Sequence, residues 1–448
     1  MLAHCKCGTN FEGLSLASCR KLSTHFNHFN FAKVFEKIIS SRLSKYFVNS
    51  EVFPRHQFAY RSGLGTCDAL LTVSHHLQMA LEKGWEARLV QLDFSAAFDR
   101  VSHSGLIYKL RAAGVGGRLL SVLSNFLVER TMKAVLDGCA SPFVDVVSGV
   151  PQGSVLGPLM FVVYTRDLFD VVKNLMYNYA DDSTLVAVVK SPADRPRVAE
   201  SLNKDLRAIS AWCERNNMKL NASKSKTMTV SRSRTSIPAH PDLHVEGVNL
   251  VDSATLDILG VTFDQKLTFE SHIRSLVSRA SRSLGIIRKA SRVFGDHTVS
   301  LRCFRSFVLP LLEYCSPVWG SACETHLSLL DRIVGRAQFL CGGEGVGDLS
   351  HRRRVGWLCM MHKVWTDPAH PLHEHLPAPL VPVRITRGTV ALHGNAFVVA
   401  RCRTEQYMRS FISGGVRIWN SLPSSLFHGG SLSSFKSSVN RFSLQLPL

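Results

Sequence analysis

The stretch Leu175–Val189 limits the fold more tightly than any other part of the chain. Two runs rich in Tyr, Thr, Leu and Val, residue types that favour extended backbone, are separated by Ala180, Asp181 and Asp182. The pattern predicts a β-hairpin whose tight turn presents two carboxylates at its tip. Adjacent carboxylates repel, and neither stays ionised away from water without a counter-charge. A solvated tip satisfies them in one way. A divalent cation, held by hard oxygen ligands with water and phosphate in its other positions, satisfies them in another.

A second acidic strand end upstream favours the cation. The β-prone run Ala87–Leu92 ends on Asp93 and is followed by small residues, Phe94 and Phe98. If this strand lies beside the hairpin, Asp93 and Asp181 converge in an arrangement suited to two metal ions and an in-line phosphoryl displacement. Between the two stretches, Ser148–Leu159 carries enough Gly and Pro to be a loop, and the apolar run Leu159–Tyr164 predicts a helix behind it. Backbone exposed at Gly153 can approach a flat ligand closely, and Gln152 can hydrogen-bond there.

In this order, these stretches resemble the palm motifs of reverse transcriptases, with Tyr179-Ala180-Asp181-Asp182 as one box and Pro151-Gln152-Gly153-Ser154 as another. The wording is similar to that of non-long-terminal-repeat, LINE-type retrotransposons of the jockey kind. The resemblance implies an α+β right-hand polymerase of fingers, palm and thumb with a mainly helical C-terminal extension. It divides the chain into an atypical segment at 1–30, fingers and palm at 31–267, a helical thumb at 268–340 and the extension at 341–448. It implies that Asp93 and Asp181 bind Mg²⁺, that Asp182 assists, and that the carbonyl of Phe94 helps to hold an ion. It also implies an RNA template, a DNA primer and dNTPs as partners.

The same resemblance assigns further roles. Lys224 matches a lysine that protonates departing pyrophosphate, chemistry that suits an ammonium near a leaving group; Lys226, two residues on, is the other candidate, and a solvated polar loop is the plain alternative. Arg61 is placed to meet the triphosphate by bidentate contact, or is a surface charge beside a turn. Phe98 is placed under the sugar, where a ring that accepts no hydrogen bond selects deoxynucleotides; otherwise it is core. Thr24–Asn30 departs from the Arg-, Pro- and Ile-rich wording expected before the first helix. That departure sustains the alternative of an inactive, transposon-derived nucleic-acid-binding remnant. A maturase-like protein fits the C-terminal wording less well, and an RNA polymerase fits Phe98 less well. No nuclease motif is found, so nicking of the primer end is expected to come from elsewhere or not to occur.

The rest of the chain supports a polyanion-binding protein. Its 53 Lys and Arg against 34 Asp and Glu leave a formal charge of +19 over 448 residues, an excess that suits nucleic acid held by counterion release. Twelve scattered cysteines make no disulfide framework, and no apolar run is long enough to span a bilayer, so a reducing, intracellular compartment without a membrane is expected. His4, Cys5 and Cys7 lack a second ligand pair at zinc-finger spacing. Helical spacing is expected at 33–47 (Val34, Ile38, Leu43 and Phe47, with Phe35 and Ile39), after Thr66 (Leu70, Val73, Leu77, Leu81), and at 197–212 (Val198, Leu202, Leu206, Ile209). The last should pack beneath the sheet. His56–Tyr60 reads as a strand, and Leu256–Asp264 as a hairpin whose Gly260 lets a nucleic-acid backbone come close.

From 272 to 289 one face is apolar and the other carries Arg274, Arg279, Arg282, Arg288 and Lys289, as a thumb touching phosphates would. Helical patterns at 298–314 and 325–340 complete a bundle, and 351–365 predicts another helix. The Pro- and His-rich stretch 367–388 reads as loop, with His362, His370, His373 and His375 expected to be solvated rather than metal-bound. Trp419 is expected in the core.

Overall fold

The computed structural model describes residues 30–137, 139–233, 240–343, 345–380, 393–427 and 430–442. The N-terminal segment, with His4, Cys5, Cys7 and Cys19, lies outside them.

A five-stranded sheet organises the chain. Its centre is β1 (Glu86–Leu92), flanked on one side by the hairpin β2 (Leu175–Tyr179) and β3 (Asp182–Val189), and on the other by β4 (Lys226–Val230) and the short β5 (Val251–Asp252). β1 is antiparallel to both neighbours, with Leu92 opposite Ser183 and Gln91 opposite Lys226. Successive side chains of a strand point to opposite faces, and here both faces are covered. Ala87 and Leu89 enter one hydrophobic core with Val186 and Met228, while Val90 and Leu92 enter the other with Leu185 and Ala187. This double burial is why β1 reads as nearly continuous apolar sequence rather than a clean alternation.

On the second face lie α1 (Asn30–Asn49), α3 (His103–Ala112), α4 (Gly117–Leu127), α5 (Leu156–Thr165) and α6 (Arg195–Arg215). Val198, Leu202, Leu206 and Ile209 of α6 are all buried there, as their spacing predicts. α1 spans the expected residues but turns a different side inward. Ile39, Leu43 and Phe47 are buried with Glu36, whereas Val34, Phe35 and Ile38 are exposed. Glu36 decides the rotation. Its Oε2 accepts hydrogen bonds from the amides of Val155 (2.6 Å) and Leu156 (3.1 Å), closing the start of α5 with a carboxylate from another helix.

α2 (Thr66–Glu82) covers the first face, with Leu70, Val73, Leu77 and Leu81 buried. The segment before it is not a strand; only Gln57 bridges to Asn178 of β2. The hairpin β6 (Thr255–Ile258) and β7 (Val261–Asp264) follows the sheet, and its turn residues Leu259 and Gly260 have φ of +47° and +81°. Gly260 is therefore needed for its backbone, but the space beside it is taken by the ring of Tyr314, 3.5 Å from where a Cβ would stand. The Tyr314 hydroxyl donates to the carbonyl of Leu259 (2.8 Å) and bonds Thr66 Oγ1 (3.1 Å), tying this turn to the start of α2.

Beyond the hairpin the chain is helical. α7 (Glu270–Phe294) buries Ile273, Leu276, Ala280, Leu284 and Ile287 and exposes Arg274, Arg279, Arg282, Arg288 and Lys289. It packs with α8 (Glu324–Leu340) and with a helical run at 297–313 that passes through a π-helical turn, Phe304–Val308, just before Pro310. α9 (Leu349–Thr366), α10 (Phe411–Asn420) and α11 (Leu432–Arg441) continue the same core, around Trp357 and the fully buried Trp419. Among the described residues the cysteines are unbridged, and no helix is long and apolar enough to cross a membrane.

Two of the histidines of the 362–375 stretch are not solvated, while His373 and His375 are partly exposed. His370 is completely buried and His362 nearly so. His370 Nε2 (2.9 Å) and Lys363 Nζ (2.5 Å) both meet Asp68 Oδ1, and Asp68 Oδ2 accepts from the amide of Gly65 (2.7 Å), so one carboxylate caps α2 and anchors the C-terminal part to it.

Candidate active site

The β2–β3 hairpin pairs Tyr179 with Asp182, which leaves Ala180 and Asp181 as a two-residue turn. Because Leu92 lies opposite Ser183, the next residue of that strand, Asp93, emerges beside Asp182. The three carboxylates thus come from one edge of the sheet. Ala180 has φ of +59°, a left-handed conformation that opposes its Cβ by roughly 1–2 kcal/mol. Gln57 holds it there. The Gln57 side chain is buried, and its Oε1 accepts from the amides of Ala180 (3.3 Å) and Ala59 (3.1 Å). On either side of it the amide of Asn178 donates to the carbonyl of His56 and that of Phe58 to the carbonyl of Asn178, each at 3.0 Å.

Asp93 is fixed from the opposite side. Its carbonyl accepts from the amide of Asn221 (2.8 Å), Ser95 donates to the carbonyl of Lys219 (2.9 Å), and the Asp93 amide donates to Ser225 Oγ (3.2 Å). In this antiparallel bridge between Phe94 and Leu220 the flanking residues make the hydrogen bonds. The N–H and C=O of Phe94 are therefore turned the other way, toward the side on which β3 lies. The same loop brings Lys224 Nζ to 3.9 Å from Asp93 Oδ2, both side chains being well exposed.

The carboxylates disturb one another. Partial burial, then the negative charge of Asp93, raises the pKa of Asp181, with a hydrogen bond from its own amide pulling the other way. Partial burial, then the charges of Asp181 and Asp93, raises that of Asp182. Burial and the neighbouring Tyr179 and Asp181 likewise raise the Tyr60 phenol. Among the described residues no three His, Cys, Asp or Glu side chains are gathered closely enough to enclose an ion. The donor set nevertheless fits one: hard oxygens, accumulated negative charge and room left for further ligands.

The Gly- and Pro-containing loop is pressed against the segment after Asp93. Gly149 has φ of +85°, and a Cβ there would stand 2.9 Å from the backbone of Asp99. Val150 donates to the carbonyl of Phe98 (3.0 Å), Ser148 Oγ to that of Asp99 (2.9 Å), and Gln152 Nε2 to Asp99 Oδ1 (2.8 Å). Gly153 takes φ of +83° at the exposed turn. The partly buried ring of Phe98 stacks on Phe161 of α5 at 4.2 Å and 18°. Phe98, Gln152 and the loop glycines therefore form one group beside Asp93.

The family model for reverse transcriptase (RNA-dependent DNA polymerase) matches residues 28–263, more than half of the chain, and that span holds every residue of this constellation. The chain belongs to the reverse transcriptase family. Its fold is accordingly that of an α+β right-hand polymerase with a helical C-terminal part. It is 30% identical over 319 residues to a probable RNA-directed DNA polymerase from transposon BS of Drosophila melanogaster, covering 68% of this chain and 34% of that protein. It is 31% identical over 308 residues to the RNA-directed DNA polymerase from mobile element jockey of the same organism, covering 66% of this chain and 33% of the relative. The chain thus spans about a third of the length of these relatives. Its likeness to the solved structure of apo telomerase from Candida tropicalis has a TM-score of 0.36 at 13% identity, over 56% of this chain and 49% of that one.

Arg61 stands apart from the group. Its Nη1 donates to the carbonyls of Pro54, Arg55 and Gln57, each at 3.2 Å, and the carboxylate acting on it is that of Asp367 rather than those at the strand ends. It staples the turn that carries Gln57. Sequence reasoning missed Gln57, Tyr60 and Ser225, which surround the aspartates. None belongs to a periodic pattern; the signal that could have found Gln57 is a neutral amide embedded in the turn His56–Tyr60, close to Phe58.

Proposed function

We propose that this chain carries the polymerase part of a non-LTR retrotransposon reverse transcriptase, adding deoxynucleotides to a DNA primer 3′-hydroxyl on an RNA template. The observation that carries the reading is the convergence of Asp93, Asp181 and Asp182 at one sheet edge, where partial burial, and then the neighbouring carboxylates, raise the pKa values of Asp181 and Asp182. In this reading Asp93 and Asp181 hold Mg²⁺, Asp182 assists, and the Phe94 carbonyl, turned toward the same side, completes the oxygen set. The bound ions would activate the primer hydroxyl and neutralise the triphosphate.

The remaining roles rest on this chain's own groups. Lys224, beside Asp93, donates a proton to the departing pyrophosphate; Lys226, exposed on β4 opposite Gln91, is the other candidate. Phe98, backed by Phe161, is a stiff wall against a 2′-hydroxyl. Gln152 and Gly153 present a polar edge and open backbone to the nucleotide or template base. Arg61 acts on the triphosphate only through a guanidinium nitrogen other than the Nη1 that binds the turn. The division into fingers and palm at 31–267, thumb at 268–340 and extension at 341–448 belongs to the same proposal, with the exposed cations of α7 facing duplex phosphates.

The test is dNTP incorporation on a primed RNA template with Mg²⁺, beside Asp181→Ala. Extension that disappears in the variant supports the reading. Equal extension by both proteins, or none by either while both bind the primed template, refutes it.

A further inference from the structure

Away from the carboxylates, the structure forms a cationic groove where the end of the palm meets the helical C-terminal half. Two adjoining concavities, of about 340 and 520 Å³, share Ala322 and Arg409 in their walls. Arg232 and Lys266 line the first, and Arg354 of α9 and Arg417 of α10 the second. Five cationic side chains therefore face two carboxylates, Glu324 and Glu405, and Glu405 is already bound by Arg409. Arg232, Lys266 and Arg417 are exposed, and among the described residues no carboxylate pairs with them.

These side chains come from four separate places in the sequence. Arg232 follows β4, Lys266 follows β7, and Arg354 and Arg417 sit on different helices. Their convergence is a product of the fold, and like charges gathered on concave walls raise the local potential above that of a flat basic surface. The position is also distinct. β4 has its Lys226 end opposite Gln91, near Asp93, and its Val230 end opposite Ala87. Arg232 is therefore displaced from the catalytic edge by roughly 20 Å along the strand direction.

We infer that this groove is a second nucleic-acid site, which takes the phosphate backbone of a strand outside the polymerase cleft. The groove lacks the exposed aromatic platforms that a base-reading single-strand site uses; Trp357 in its wall is buried. Recognition there is consequently by charge, insensitive to sequence and strongly dependent on salt. The site does not rest on the polymerase reading, since a phosphate strand binds it without primer, ion or dNTP.

The test compares the full chain with the triple variant Arg232→Glu, Lys266→Glu, Arg417→Glu. Fluorescence anisotropy of a 30-nucleotide single-stranded RNA, titrated over salt in the presence of EDTA, reads the groove. Loss of three phosphate contacts should reduce the slope of log K against log salt by about 2 and weaken binding roughly tenfold or more at moderate salt. Extension of a short primed template, which reaches only the cleft, should stay within about twofold. A second triple variant, Arg232→Lys, Lys266→Arg, Arg417→Lys, should bind as the parent does and controls for folding. Competition by single-stranded DNA of the same length distinguishes a general phosphate site from one reserved for RNA. The inference fails if charge reversal leaves slope and affinity unchanged, or if extension falls in parallel with binding, which would place these cations in the catalytic cleft.

Discussion

Replacing Gln57 by leucine tests whether the catalytic turn is positioned from outside the hairpin. The substitution keeps the approximate volume of a buried side chain and removes the acceptor that serves the amides of Ala180 and Ala59. Each buried N–H left without a partner costs about 1–3 kcal/mol, so the variant, with two such groups, should lose about 2–6 kcal/mol of stability. The local consequence is more specific. Ala180, at φ of +59°, would no longer be opposed in relaxing, and Asp181 is its immediate neighbour. A displacement of about 1 Å at a reacting centre lowers turnover by the order of a hundredfold. Steady-state extension well below the unfolding temperature should show kcat falling by that order, with the KM for dNTP little changed. Leu206→Ala is the control. It removes a buried side chain from α6, which makes no hydrogen bond to the Ala180 turn among those of the described residues, for a comparable loss of about 2–5 kcal/mol. If Gln57→Leu keeps kcat within twofold, or if both variants lose it equally, the turn is not positioned by Gln57.

Three further outcomes follow from the geometry. Phe98→Ala should admit ribonucleotides, with discrimination falling roughly ten- to hundredfold, or about 1.4–2.8 kcal/mol, in a competition between rNTP and dNTP; unchanged discrimination would make Phe98 a packing residue only. The raised pKa values of Asp181 and Asp182 mean that the folded, metal-free chain holds their protons more tightly than the unfolded chain does. Their contribution to stability is complete below the ordinary 3.8 and is lost as pH rises through the raised values. Thermal unfolding in EDTA should therefore show that Asp181→Asn, Asp182→Asn gains on the parent as pH increases toward neutrality and that millimolar Mg²⁺ removes the gain; parallel pH curves would contradict it. Asp68→Asn leaves Lys363 and His370 with a neutral partner in a buried site, and should cost about 3–5 kcal/mol, read by denaturant unfolding.

What the sequence made legible was whatever repeats at short range. The hairpin around Asp181, the strand ending at Asp93 and the buried face of α6 all declare themselves through periods of two or three to four residues. The candidate site could be gathered because each member ends or follows such an element. The missed features depend on partners far away in the chain. α1 carries apolar residues on more than one side, and only the amides of Val155 and Leu156 show that Glu36 marks the inward one. His370 sits in a Pro- and His-rich stretch that reads as solvent-exposed, yet a carboxylate 302 residues earlier makes it part of the core. Gly260 has the backbone freedom expected of it, but the neighbour that comes close is Tyr314. No local pattern encodes any of these pairings.

The hydrophobic packing runs across the boundaries at 268 and 341 that the family resemblance implies. The core that begins with Leu89 and Met228 beneath α2 continues without a break through Ile273 and Leu330 to Trp357, Trp419 and Val439. α2 is held on its outer side by the C-terminal part at both ends: Asp68 takes Lys363 and His370, and Glu82 accepts from the Thr404 hydroxyl at 2.6 Å and from the amide of Arg403. Tyr407 adds a hydroxyl contact to Met79 Sδ at 2.9 Å. A helix from the early part of the chain is thus fixed by residues more than 280 positions later, and the turn at Thr66 by Tyr314, 248 positions later. The C-terminal part therefore packs as one wall of the core that covers α2: Trp357, Phe411 and Trp419 bury into it, while Arg417 stays exposed beside the groove.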